Sequence, residues 1–264
     1  MNSVTIRIEL LSGLIRHRRA VVLGALVTVT VAAWAYLLLA AGMEMDMDGG
    51  PNTVAPSAWS PPYAVLISLM WWVMMVAMML PTAAPTVLLV TTLAWERQDN
   101  SNLVPTTTML FALGYLLVWS GFSLGATLLQ WRLDGAGLIS EKMAFGNAIL
   151  ASAVLIAAGV YQWTPLKDAC LRHCRSPTEF LVRHWRQGLL GAVGTGVRHG
   201  FFCLGCCWML MALLFVGGLM NLAWVGAIAL FVLLEKAMPG GDWMSRFSGV
   251  LLVAWGVTNL IRMV

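Results

Sequence analysis

The sequence HGFFCLGCCWMLMALLFVGGLMNLAWVGAIALFVLL, at positions 199–234, contains no charged side chain over 36 consecutive residues. At a rise of about 1.5 Å per residue, a single helix of this length would measure about 54 Å, whereas the hydrocarbon core of a bilayer is about 30 Å thick. Gly217 and Gly218 offer a place for the helix to break. The stretch therefore predicts two membrane-spanning helices, which cover 195–217 and 221–236.

The rest of the chain repeats this pattern of apolar segments between short basic runs. Of its 264 residues, 59% are apolar and 11% are charged, whereas soluble domains carry about 25% charged residues. So few charges suffice only where lipid is the solvent for most of the surface. We predict a single all-α domain, 1–264, folded as a polytopic transmembrane helical bundle with seven spans. The other five predicted spans are 20–42, 63–92, 105–130, 144–166 and 245–262.

The distribution of Lys and Arg predicts how this bundle is oriented. If the N-terminus is cytoplasmic, 13 of the 16 basic residues fall in inner segments, and the outer segments hold Arg132, Lys142 and Arg262. Such an excess is the positive-inside bias of membrane proteins. The N-terminus 1–19 and the basic loop 167–194 are then cytoplasmic, and the C-terminus lies outside. Basic residues placed in this way do not indicate nucleic-acid binding.

The strongest chemical signal is a group of soft side chains on one predicted helix. Because a helix turns by about 100° per residue, His199, Cys203, Cys206 and Cys207 fall within a sector of about 100° and can face one point. Thiolate and imidazole ligands together suit Cu(I) or Zn(II). The alternative is that these cysteines only pack as small apolar residues.

A second group of soft ligands lies in the predicted outer loop 43–62. Thioethers alternate there with carboxylates, in the order Met43, Glu44, Met45, Asp46, Met47 and Asp48. In an extended chain, alternation places the three Met on one side and the acids on the other. Thioethers prefer Cu(I), and carboxylates attract cations. The alternative is a simple acidic cap on the first span.

The third group is a ladder of methionines in the predicted span 63–92. Met70, Met74 and Met78 are spaced by four residues and share one helix face. Methionine is also an adaptable filler of apolar cores, so packing is the alternative to metal binding.

The fourth group, Cys170, His173 and Cys174, occupies one helical turn in the basic inner loop. Neighbouring Lys and Arg favour thiolates, which bind metals or undergo redox chemistry. Two inert cytosolic thiols are the alternative.

Beyond these groups, Glu235 stands at a predicted helix end, where an ionisable residue often faces a cavity or forms a pair. Its neighbour Lys236 can extend its ammonium group to the membrane surface.

Several motifs together resemble a bacterial family of predicted metal-binding integral membrane proteins. They are WWVMMVAMMLPTAAPT (71–86), YQWTPLKDACLRHCRSP (161–177), GVRHGFFCLGCCWMLMALLFVGGLMNLAW (196–224) and LLEKAMPGG (233–241). The resemblance implies a multi-pass protein of the bacterial cytoplasmic (inner) membrane in which metal handling, often of copper, is suspected. It draws attention to Met74, Met78, Met79, Pro81, Cys170, Cys174, His199, Cys203, Cys206, Cys207 and Glu235.

These observations lead to a first hypothesis, a copper-handling membrane protein that acts as a carrier, chaperone or metal-insertion factor. Cu(I) is the expected metal and zinc the alternative, and the expected partners are the lipid bilayer, the metal ion and a membrane or periplasmic protein. A rival hypothesis is a membrane-bound metal-dependent oxidoreductase or its metal-bearing subunit, so enzymatic activity stays open. A third is a structural subunit whose Cys and Met only pack. The sequence contains no P-loop of an ATP-driven pump.

Overall fold

A computed structural model of the chain describes residues 19–40, 59–97, 103–140, 143–238 and 240–262. These residues are helical apart from turns and one isolated bridge between Ile139 and Phe145, which confirms the all-α prediction. The helices are α1 (Arg19–Ala40), α2 (Pro61–Arg97), α3 (Leu103–Gly135), α4 (Ala148–Tyr161), α5 (Pro165–Arg175), α6 (Pro177–His184), α7 (Leu189–Ala212), α8 (Leu214–Gly217), α9 (Leu222–Ala237) and α10 (Gly241–Ile261).

The number of candidate membrane spans is smaller than predicted. Within the described ranges, five stretches are long and apolar enough to cross a membrane: Arg19–Ala40, Pro61–Trp95, Leu103–Gly135, Leu189–Gly217 and Asp242–Ile261. Helices α4 and α5, bent by 65° at their junction, would together supply a sixth. Helix α9 has only 16 residues, whereas a span needs about 20. The described residues thus give five or six candidate spans, and the prediction of seven is not confirmed.

Local sequence signals explain two of the helix boundaries. Gly218 adopts a positive φ of 87° after α8, and the side chain of Asn221 caps α9 by accepting a hydrogen bond from the Trp224 amide at 3.1 Å. The break predicted within the long uncharged stretch is therefore present. The predicted span 144–166 is instead divided, because Thr164 caps α5 and Pro165 occupies its first turn, where proline is well tolerated.

Glycines bring the central helices of the bundle into close contact. A Cβ atom added to Gly196 of α7 would collide with the carbonyl oxygen of Phe111 in α3, and one added to Gly114 of α3 would collide with that of Val193. A third helix, α2, packs along α3. These contacts place the inward faces of α2, α3 and α7 around one buried region.

Candidate metal site

The soft side chains of α7 all lie inside the bundle. His199, Cys203, Cys206 and Cys207 are buried, with exposed fractions of 2% or less. The helical spacing in the sequence predicted one shared face, and the burial of all four side chains places that face against other helices.

Four cysteines from two helices lie close together. The thiols of Cys206 and Cys207 each donate a hydrogen bond to the Cys203 carbonyl oxygen at 3.0 Å. From α5, the thiol of Cys174 interacts with those of Cys203 and Cys206. We call Cys174, Cys203, Cys206 and Cys207 the thiol cluster. It unites two groups that the sequence presented separately, one in the inner loop and one in the long apolar stretch.

Helix α2 contributes a thioether to the edge of the thiol cluster. The Met79 sulfur lies 4.0 Å from the Cys207 sulfur. The Tyr115 hydroxyl of α3 links the same region, because it donates to the Met79 carbonyl oxygen at 2.9 Å and lies 3.1 Å from the Cys203 sulfur. Side chains of α2 and α7, whose contact the sequence could not establish, therefore meet here.

The methionines of the predicted ladder belong to the apolar core of the bundle. Met74 and Met78 are buried in the apolar core, and Met70 is half-buried and packs against it. The methionine described in contact with a thiol is Met79, one position beyond the ladder.

A buried ammonium group completes the surroundings of the thiol cluster. The side-chain nitrogen of Lys236, in α9, donates to the Cys203 sulfur at 3.0 Å and to the Thr82 hydroxyl at 3.4 Å. Lys236 is 8% exposed, so the expectation that it reaches the membrane surface was wrong. Its partner lies 33 positions away in another helix, which the sequence alone does not reveal.

A separate buried ion pair lies beside this region. Lys167 of α5 and Glu235 of α9 are 2.6 Å apart, with both side chains fully buried. Lys167 also donates to the Gln162 side-chain oxygen, and the hydroxyl of Ser245 donates to Glu235. Glu235 was predicted to face a cavity or to form a pair, and in the structure it forms a pair.

His199 is close to the thiol cluster but has different neighbours. Its ring packs near those of Phe111, Tyr115 and Phe180, with centroid distances of 5.9, 5.7 and 5.1 Å. The Nδ1 atom is buried without a hydrogen-bond partner. A buried imidazole nitrogen in this state retains the capacity to bind a metal ion.

The other predicted ligands of α5 diverge from one another. A Cβ atom added to Gly205 would lie 2.7 Å from the Cys170 sulfur, so Cys170 packs against α7. His173 turns elsewhere and stacks on Phe202 at 4.1 Å. Nearby, burial lowers the pKa of His184, so the neutral imidazole is favoured at that end of the bundle. Met43, Met45 and Met47 lie outside the described residues.

The donors available in the thiol cluster favour low coordination numbers. Across the described parts of the chain, no three His, Cys, Asp or Glu side chains are placed to hold one metal ion together. Structural Zn(II) requires four ligands in a tetrahedron, whereas thiolates and thioethers are the ligands that select Cu(I). A pair of thiols with a neighbouring thioether therefore fits Cu(I) better than Zn(II).

The chain thus combines several apolar helices of spanning length with a buried region that contains thiols, a thioether and an ammonium group. The chain belongs to the PpoB2 copper chaperone family, whose family model matches residues 68–259. This range contains the thiol cluster, Met79 and Lys236, and membership confirms the predicted connection with copper. No curated protein and no solved structure matches the chain.

Proposed function

We propose that this protein is a copper chaperone of the bacterial inner membrane that holds Cu(I) on the thiol cluster and transfers it to a protein partner. The partner would be a membrane protein or a periplasmic protein that requires copper. The N-terminus and the basic loop 167–194 would be cytoplasmic.

The observation that carries this proposal is that sulfur atoms from three helices lie close together, all of them buried except that of the half-buried Cys174. Cys203, Cys206 and Cys207 come from α7, Cys174 from α5 and Met79 from α2. Sulfur ligands of this kind match the preference of Cu(I), and their burial shields the ion from water. A chaperone must also release its cargo, and a site of two thiols with a weaker thioether allows exchange with an incoming ligand.

Other soft side chains supply a route to and from the thiol cluster. In the proposal, Met43, Met45 and Met47 receive Cu(I) outside, and Met70, Met74 and Met78 line its path along α2. His199 lies one turn from Cys203 on α7, and its Nδ1 atom, which has no hydrogen-bond partner, would bind the ion next to the thiol cluster. His173 would serve the cytoplasmic side, whereas Cys170 packs against Gly205 and has no part in the proposed route.

Copper content of the purified protein tests this function. We expect the protein in mild detergent, loaded with Cu(I) under anaerobic reducing conditions, to retain copper through desalting. The double variant Cys203→Ala/Cys206→Ala should lose the bound copper, because it lacks two of the four thiols of the thiol cluster. Elemental analysis against protein concentration gives the stoichiometry.

Cys170→Ala is the matched control. It removes a thiol of the same region that packs on Gly205 without joining the thiol cluster, so copper content should remain at the wild-type value. Unchanged copper in the double variant would refute the site.

A further inference from the structure

We propose that Lys236 makes the thiol cluster selective for a monovalent soft cation, Cu(I) or Ag(I), over a divalent one. This inference rests on the proposed copper site and concerns the charge that the site accepts.

The ammonium group of Lys236 lies against the thiol cluster. Lys236 is buried, and its nitrogen has two described partners, the Cys203 sulfur at 3.0 Å and the Thr82 hydroxyl at 3.4 Å. A hydroxyl carries no charge, so of these two partners only the sulfur can carry a countercharge.

The carboxylates that could otherwise neutralise this ammonium group have partners of their own. Glu235, the preceding residue in the chain, is paired with Lys167 at 2.6 Å. Asp242 is paired with Arg175 at 2.8 Å. Among the side chains that the structure describes, no ion pair joins Lys236 to a carboxylate. An unpaired buried charge is strongly unfavourable. The Cys203 sulfur, which is a thiolate when it binds a metal ion, is the described partner that can neutralise Lys236 in the loaded site.

The net charge of the loaded site depends on the metal ion that it holds. Cu(I) bound by two thiolates carries one net negative charge, which the neighbouring ammonium balances. Zn(II) bound by two thiolates is already neutral and leaves the ammonium without a counterion in a buried region. A third thiolate would restore the balance for Zn(II), but no three such ligands converge in the described part of the chain. The ammonium group and the low number of ligands thus both favour Cu(I) over Zn(II).

Competition experiments with Lys236→Leu test this role, because leucine is apolar and removes the charge without adding a sulfur ligand for Cu(I). Affinities for Cu(I) and for Zn(II) are measured separately on detergent-purified protein, each against a chromophoric chelator. We expect Cu(I) affinity to fall at least about tenfold, while Zn(II) affinity stays the same or rises. The ratio of the two affinities is the readout that a merely structural role of Lys236 would not move in this direction.

Thr82→Val is the matched control, since it removes the other hydrogen bond of the ammonium without changing any charge. It should leave the ratio of Cu(I) to Zn(II) affinity near the wild-type value. If Lys236→Leu retains the wild-type ratio although the wild-type protein binds Cu(I), the inference is overturned and the proposed function stands. If the wild-type protein binds no Cu(I), the proposed function itself fails.

The wild-type protein provides a second test that needs no variant to fold. Ag(I) should displace Cu(I) with equal stoichiometry, and a hundredfold excess of Zn(II) should not. Displacement of Cu(I) by Zn(II) at comparable concentrations would overturn the proposed selectivity.

Discussion

At the residue scale, two adjacent charged residues of α9 serve different parts of the buried interior. Glu235 pairs with Lys167 of α5, and Lys236 donates to Cys203 of α7. Consecutive residues on a helix point about 100° apart. Glu235 and Lys236 can therefore contact two different helices, α5 and α7, from the same turn of α9. The Lys167–Glu235 pair thereby fixes the turn that places Lys236 against the thiol cluster.

The Glu235→Gln variant tests the importance of this ion pair. Loss of the carboxylate leaves the Lys167 ammonium buried without its counterion, which costs about 3–5 kcal/mol when both partners are inaccessible to water. We expect the midpoint of unfolding in detergent to fall substantially, as measured by circular dichroism during a denaturant titration.

The exposed pair of Arg183 and Glu179 on α6 provides the control. Glu179→Gln should change stability by less than about 1 kcal/mol, because solvent screens this interaction. A second check is the double variant Lys167→Met/Glu235→Leu, which leaves no unpaired charge and should recover most of the loss. Equal stability of Glu235→Gln and the wild-type protein would show that the ion pair is dispensable.

The residues of the site differ in how well the sequence could predict them. The common burial of His199, Cys203, Cys206 and Cys207 follows from helical periodicity, which is a local property of the chain. Lys236, Tyr115 and Met79 belong to the same region through contacts between helices, and their positions depend on how the helices pack. Lys236 was misread because a lysine at the end of an apolar helix usually extends towards water.

At the element scale, the contact between α3 and α7 holds the face that carries the thiol cluster. Gly196 lies two turns before Cys203 and meets the Phe111 backbone so closely that no side chain fits. Cys203 of α7 reaches the Tyr115 hydroxyl of α3 at 3.1 Å because the two backbones approach at this point.

Gly196→Ala should separate these helices and destabilise the protein by about 1–3 kcal/mol, the usual cost of overpacking. Gly194 of the same helix is exposed and has no atom within 4 Å of an added Cβ. Gly194→Ala should therefore be neutral or stabilising by up to about 1 kcal/mol, because alanine favours the helix. Thermal unfolding of both variants measures the difference, and equal behaviour would contradict the close packing of α3 and α7.

The division of the predicted span 144–166 also belongs to this scale. Apolar composition extends through the segment, and composition is what predicts a span. The capping threonine and the proline that follows it begin a new helix, α5, at 65° to α4. The bend turns α5 so that Cys174 meets α7, an arrangement that no count of apolar residues can predict.

At the scale of the whole molecule, the all-α architecture and the connection with copper were predictable. Both depend on features that persist under any packing arrangement, namely the scarcity of charge and the abundance of Cys and Met among apolar helices. The number of spans was not predictable to the same degree, because α9 is apolar but too short and α4 is bent away from α5. Orientation remains a prediction from the positive-inside bias.

The central claim is that sulfur atoms of the thiol cluster hold Cu(I) within the bundle. X-ray absorption spectroscopy at the copper edge, on protein loaded with one Cu(I) per chain, tests it most directly. We predict a first coordination shell of two or three sulfur atoms that persists in His199→Ala and disappears with bound copper in Cys203→Ala/Cys206→Ala. A shell made of nitrogen or oxygen alone, or a sulfur shell unaltered in the double cysteine variant, would contradict the account.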